Sequence, residues 1–112
     1  DELRMVMEKA GRQLVVVDWN ASWCGPCKQM APVFEEMARR RTDICFVSID
    51  VEASEANQQV AANAAIRALP TFHFYRNSLR VDEFSGSDKA KIEATIARLT
   101  AVPGSPAALD LA

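Results

Sequence analysis

Cysteine is scarce: Cys24, Cys27 and Cys45 are the only three in a chain of 112 residues. An odd number with one close pair does not make the disulfide framework of a small secreted domain, and it points to a reducing, cytoplasmic setting. An excess of charge of one sign is also lacking, since 13 basic residues face 15 acidic ones for a formal net charge of −2. That balance offers no basic stripe for nucleic acid and no polybasic patch for a membrane surface. No apolar run approaches the roughly 18 residues of a membrane span. The first residues are acidic and amphipathic, unlike a signal peptide. What is present, 49% hydrophobic and 25% charged residues, suits one ordinary domain with enough apolar material for a core.

The chain is organised around Trp23-Cys24-Gly25-Pro26-Cys27-Lys28. Before it, Leu14-Val15-Val16-Val17-Asp18-Trp19 is short, apolar and β-branched, which reads as a buried strand. After it, Met30, Val33, Phe34, Met37 and Ala38 form the stripe of an amphipathic helix over about 26–41. The two cysteines therefore sit where a strand turns into a helix. The first helical turn has unpaired N–H groups and a partial positive charge, both of which favour an anion, so Cys24 is expected as a thiolate. Cys27, one turn on, points to the same side and can reach Cys24 to close a small disulfide ring. Pro26 suits a first turn, where its missing N–H is no loss, while Pro32 removes an interior hydrogen bond and predicts a kink.

Elsewhere the pattern alternates. Residues 1–10 read as a surface helix with Leu3, Val6, Met7 and Ala10 inward, ended by Gly11. Residues 44–49 read as a strand, in which Cys45 is a small hydrophobe. Ser54 caps a helix to about Ala64. Strands follow at 71–75 and 80–85, then a helix capped by Ser87 with Ile92, Ile96 and Leu99 inward. Arg39-Arg40-Arg41 reads as a solvated cap on a helix C-terminus. His73 lies in a strand, opposite in facing to Phe72 and Phe74, with no catalytic task. A zinc site would need Cys24, Cys27, Cys45 and His73 to converge, and that spacing lacks a second ligand pair. Asp18 interrupts an apolar run: either it bonds nearby backbone at a strand end, or it is a buried carboxylate with a raised pKa.

The motif from Trp23 to Lys28 resembles the active site of the thioredoxin family. Val15 to Asp18 resembles the strand carrying that family's buried aspartate, Ala68-Leu69-Pro70-Thr71-Phe72 the segment with its cis-proline, and Phe84-Ser85-Gly86 the end of its last strand. The resemblance covers residues 1–100, one domain, and leaves Ala101 onward as a Pro- and Gly-containing, linker-like tail, 101–112. It implies an α/β thioredoxin fold: a central mixed sheet of four strands, five if a further short strand precedes the first helix, flanked by about four helices. No residues are left for that fifth strand, so the strand it would cover becomes an edge. An X–Pro bond is cis in only about 5–6% of cases, so it is the resemblance that implies a cis bond at Pro70. Asn20 departs from the family's usual Trp or Ser, and Ser78 and Asp82 stand near positions usually held by glycine.

The resemblance further implies a protein-disulfide reductase with catalytic Cys24, Cys27, Asp18, Gly25, Pro26 and Pro70. Cys24 attacks, Cys27 resolves, and Asp18 relays the proton. Trp23, Leu69 and Gly86 would form the surface that meets protein substrates, with Leu69 pairing its backbone to an incoming peptide. No bound cofactor is expected; electrons would come from NADPH through a thioredoxin reductase. Gly25-Pro26, without a histidine or an extra cation, argues for a reductant over an oxidase or a secretory isomerase. The alternative is a docking domain of a larger protein with secondary redox activity, because 74–82 is similar to the front domain of larger thioredoxin-like proteins and the tail could lead into a further C-terminal domain.

Overall fold

The structure, a computed structural model, describes residues 2–101. Its elements are α1 (Glu2–Ala10), β1 (Val15–Asn20), α2 (Gly25–Arg40), β2 (Cys45–Asp50), α3 (Glu55–Asn63), β3 (Thr71–Arg76), β4 (Leu79–Ser85) and α4 (Lys89–Leu99). The strands form one mixed sheet in the order β2-β1-β3-β4, in which β1 runs parallel to β2 and antiparallel to β3. No fifth strand occurs among the described residues, so β2 is an outer strand. Of the linker-like tail read at 101–112, all but Ala101 lies outside the described residues.

Side chains of β1 alternate between two cores because successive residues of a strand face opposite ways. Val16 joins Met30, Phe34, Phe72, Ile92 and Ile96 on the side covered by α2 and α4. Val15, Val17 and Trp19 join Ala61 on the other side, where Leu3 of α1 and Val60 of α3 close over them. Burying each of these large side chains contributes roughly 1.5–3 kcal/mol. The long continuous apolar run of β1 follows from this, since a central strand with helices on both faces has no solvent side.

Several local expectations shift. The last helix is capped by Asp88, whose Oδ1 accepts from the Lys91 N–H at 3.0 Å, and not by Ser87. With Lys89 as the first helical residue, Ser87 stands one position too early for its hydroxyl to meet the third amide. Pro32 lies inside α2, where it has no N–H to donate to the preceding turn. The hairpin turn narrows to Asn77 and Ser78, both at positive φ (53° and 64°), with Arg76 and Leu79 already paired. Asn77 tolerates this backbone well; Ser78 does so at a cost of roughly 1–2 kcal/mol. The Asn77 N–H donates to the Gly11 carbonyl at 2.9 Å, which ties the turn to the end of α1. Arg39 and Arg41 pair with Glu36 and Asp43 on the exposed end of α2. Cys45 is half-buried against the α1/α3 core, and burial raises its thiol pKa.

His73 is fully packed, 1% exposed. The Trp19 indole N–H, which can only donate, points at its Nδ1 at 3.2 Å. The ring proton therefore sits on Nε2, which faces Glu83 Oε2 at 3.4 Å. Burial, helped by Arg80, lowers the His73 pKa against the opposing pull of Glu83. A group harder to protonate in the folded state than in the unfolded one contributes stability above its unfolded pKa, about 6.5, and that stability is lost as pH falls toward the lower folded value. Denaturant melts of His73→Gln and the parent at pH 7.5 and 5 should show the parent losing more stability on acidification than the variant. Equal losses would mean that His73 does not titrate on unfolding in this range.

Candidate active site

The site forms where β1 ends and α2 begins, and the short connection is held by its own backbone. Cys24 N–H donates to the Ala21 carbonyl at 3.1 Å, and Lys28 N–H returns to the Cys24 carbonyl at 3.1 Å. Cys24 is the N-cap of α2 in extended conformation, and its sulfur accepts from the Cys27 N–H at 3.2 Å. An orphan helix donor is thus aimed at the sulfur, the arrangement that stabilises a thiolate once the dithiol is reduced. In this structure Cys24 and Cys27 are disulfide-linked, with Cα atoms 5.2 Å apart. Pro26 stands in the first turn, where no hydrogen bond is lost.

Exposure does not separate the two cysteines, because each residue is 4% accessible. Their surroundings do. Cys24 lines an open groove of about 420 Å³ with Trp23, Gly25, Pro26, Val51 and Leu69. Cys27 lines a second cavity of about 210 Å³, shared with Asp18, Asn20 and Ser48, with Lys28 and Glu35 at its wall. The order of attack expected from simple access thus rests on which cavity each residue faces.

Asp18 points to the α2 side of the sheet, as its register with Ser48 and Phe72 requires. It is 3% exposed, and its Oδ1 makes no hydrogen bond among the described residues. Burial raises its pKa from 3.8 to about 6, offset in part by the nearby Asn20 amide. Of the two readings open at the sequence level, the buried carboxylate is the one found.

The remaining predicted residues gather at the groove to different degrees. The Leu69–Pro70 peptide is cis and Pro70 is buried. Leu69 packs on the cluster of Ala21, Cys24 and Cys27. Its backbone precedes the β3 ladder, whose pairing starts at Thr71. Trp23 is 64% exposed, and its indole N–H donates to Glu52 Oε1 at 2.8 Å. Gly86, at φ +110°, donates to the Pro70 carbonyl at 2.9 Å and lies outside the groove wall. No group of three or more metal-ligating side chains occurs among the described residues, and His73 lies in the core with Trp19 and Tyr75.

The thioredoxin family model matches residues 4–98. This chain belongs to the thioredoxin family. It is 43% identical over 95 residues to thioredoxin of Ophiophagus hannah, covering 85% of this chain and 88% of that one. With thioredoxin of Gallus gallus it shares 44% identity over 93 residues, 83% and 86% of the two chains. Among solved structures, thioredoxin f2 of Chlamydomonas reinhardtii superposes with a TM-score of 0.84 at 34% identity, covering 89% and 91%. A chain from the complex of ferredoxin:thioredoxin reductase with thioredoxin f2 gives a TM-score of 0.84 at 29% identity, covering 90% of each. Membership and the linked cysteine pair together make the chain a thiol-disulfide oxidoreductase of the protein-disulfide reductase type, working through Cys24–Cys27. The docking-domain alternative is not favoured.

Sequence reasoning did not find Glu52, Ile66 and Arg67, which help to wall the thioredoxin groove. A signal was available for Glu52: it follows β2, which is parallel to β1, and loops after parallel neighbours gather at the same sheet end.

Proposed function

We propose that reduced Cys24 attacks a disulfide in a protein substrate, forming a Cys24–substrate mixed disulfide and expelling the first substrate thiolate. Cys27 then gives its proton to the Asp18 carboxylate, and its thiolate attacks Cys24 to close the Cys24–Cys27 disulfide and expel the second substrate thiolate. Two electrons pass to the substrate, and each leaving sulfur takes up a proton. The observation carrying this reading is the division of the linked pair between two cavities, Cys24 on the open groove and Cys27 on the one holding Asp18. Trp23, Gly25, Pro26 and Leu69 supply the apolar wall for substrate. Pro70 places Leu69, whose backbone precedes the β3 ladder and suits pairing with an extended peptide, and the Gly86 N–H holds the Pro70 carbonyl.

Electrons return through a thioredoxin reductase that draws on NADPH. A thioredoxin f2 related in structure to this chain is seen in complex with a ferredoxin:thioredoxin reductase, which supports a reductase as partner. Residues 1–100 act as one domain with 101–112 as a linker-like tail, in a reducing cytoplasmic setting suggested by the three cysteines. Nucleic acid and membrane surfaces are not partners in this reading, in keeping with the net charge of −2. Insulin reduction coupled to thioredoxin reductase and NADPH tests it: sustained NADPH oxidation is expected. A folded, dithiol protein that leaves insulin intact even when reduced chemically would sink it.

A further inference from the structure

Two charged side chains stand on the wall of the Cys24 groove, Glu52 and Arg67, and the fold leaves them in different states. Glu52 is engaged: its Oε1 accepts the Trp23 indole N–H at 2.8 Å. Arg67 is exposed and makes no hydrogen bond or ion pair among the described residues. A guanidinium carries five N–H donors in a rigid fork that fits a carboxylate, and here all five remain available at the groove. Lys28, beside Cys27, lines the second cavity and not this one. We infer that Arg67 is a specificity-determining residue, which selects protein disulfides carrying an acidic side chain about two residues from the cysteine that Cys24 attacks.

The backbone around Arg67 is held in place before any substrate arrives. α3 ends in a doubly bonded cap, in which the Ala65 N–H donates to the Ala62 carbonyl at 3.0 Å and the Ile66 N–H to the Ala61 carbonyl at 3.2 Å. Such a cap needs a left-handed residue just past the helix. Ala65 supplies it at φ 57°, where glycine would be the unstrained choice. Ile66 then packs on the cluster of Val15, Val17 and Trp19, and Leu69 packs both there and on the cluster of the two cysteines. Arg67 is thus carried between two anchored residues, and little beyond its own side chain has to be ordered when a ligand binds. Two residues of extended chain span at most about 7 Å, so Arg67 lies no farther than that along the chain from Leu69, whose backbone suits pairing with substrate. An extended peptide presents side chains two positions apart on one face, which sets the spacing between attacked cysteine and acid. The inference rests on the reading of this groove as the channel for protein substrates.

The test uses peptides with one cysteine held as a thiopyridine mixed disulfide and with Glu, Gln or Lys two positions before or after it. The Cys24 thiolate of the reduced protein bonds to the peptide sulfur, the original S–S bond breaks, and the departing thiopyridone is followed by its absorbance. Each rate is divided by that of dithiothreitol with the same peptide, which removes the intrinsic effect of peptide charge on an attacking thiolate. At low ionic strength the parent should favour Glu over Lys by about fivefold in one of the two placements. Arg67→Gln should remove most of that preference and Arg67→Glu should reverse it, and about 0.5 M salt should flatten the differences in every protein. Because Arg67 is exposed and unpaired among the described residues, neither substitution removes a contact that the fold relies on. An Arg67→Glu protein that keeps the parent's preference overturns the inference. So does a parent that reduces insulin yet shows no charge preference in either placement, and in that case the substrate reading of the groove stands. A parent that attacks neither insulin nor any of the peptides overturns both.

Discussion

Cys27→Ser should remain joined to its targets. The serine hydroxyl is far too weakly acidic to attack Cys24, so the first exchange proceeds and the second cannot. Incubated with a disulfide-bearing protein, reduced Cys27→Ser should accumulate as a one-to-one adduct through Cys24, visible on non-reducing gels and cleaved by dithiothreitol. Turnover should fall by at least about 10³-fold, the scale on which loss of a covalent participant is felt. Cys24→Ser should lose turnover equally and form no such adduct. Adducts on Cys27 in the Cys24→Ser protein, at a rate matching those on Cys24 in the reciprocal variant, would reverse the assigned roles. The structure makes this a real test, because both residues are equally covered and are told apart by their cavities and by the Cys27 N–H aimed at the Cys24 sulfur.

Asp18→Asn should make the protein more stable and slower. A carboxyl whose pKa is raised in the fold, from 3.8 to about 6, binds its proton more tightly when folded. Its contribution is therefore fully present below about pH 4 and is lost as pH rises through about 6. Two pKa units correspond to roughly 3 kcal/mol, so removing the charge should recover up to about that much at pH 8 and almost nothing at pH 4. Urea unfolding of the two proteins at both pH values measures the difference directly. Resolution of the mixed disulfide should meanwhile slow by roughly 10², the lower end of what a positioned proton acceptor contributes. An Asp18→Asn protein no more stable than the parent at pH 8 would mean that the carboxylate is better solvated than its 3% exposure implies. The acid-side loss attributed to His73 has the opposite sign, so the pH-stability curves of the two variants should diverge from the parent in opposite directions.

The sequence by itself determined the elements and the chemistry, because both depend on neighbours along the chain. The β-branched run of β1 and the helical stripe of α2 are local patterns, and the cysteine spacing fits one helical turn. The family resemblance carried by the motif, Asp18 and Leu69-Pro70 then supplied the topology. Boundaries moved by a residue or so where capping geometry decided them, as at Asp88 in place of Ser87.

Only the tertiary structure decided what meets across the sheet. Glu52 on Trp23, Asn20 on Ser48 and His73 on Trp19 are pairs separated by 29, 28 and 54 residues. Their geometry depends on strand order, register and the direction each side chain faces, and no short window of sequence holds that information. The same is true of Asp18: its place in an apolar run left two readings open, and it is burial under the packed helix that raises its pKa.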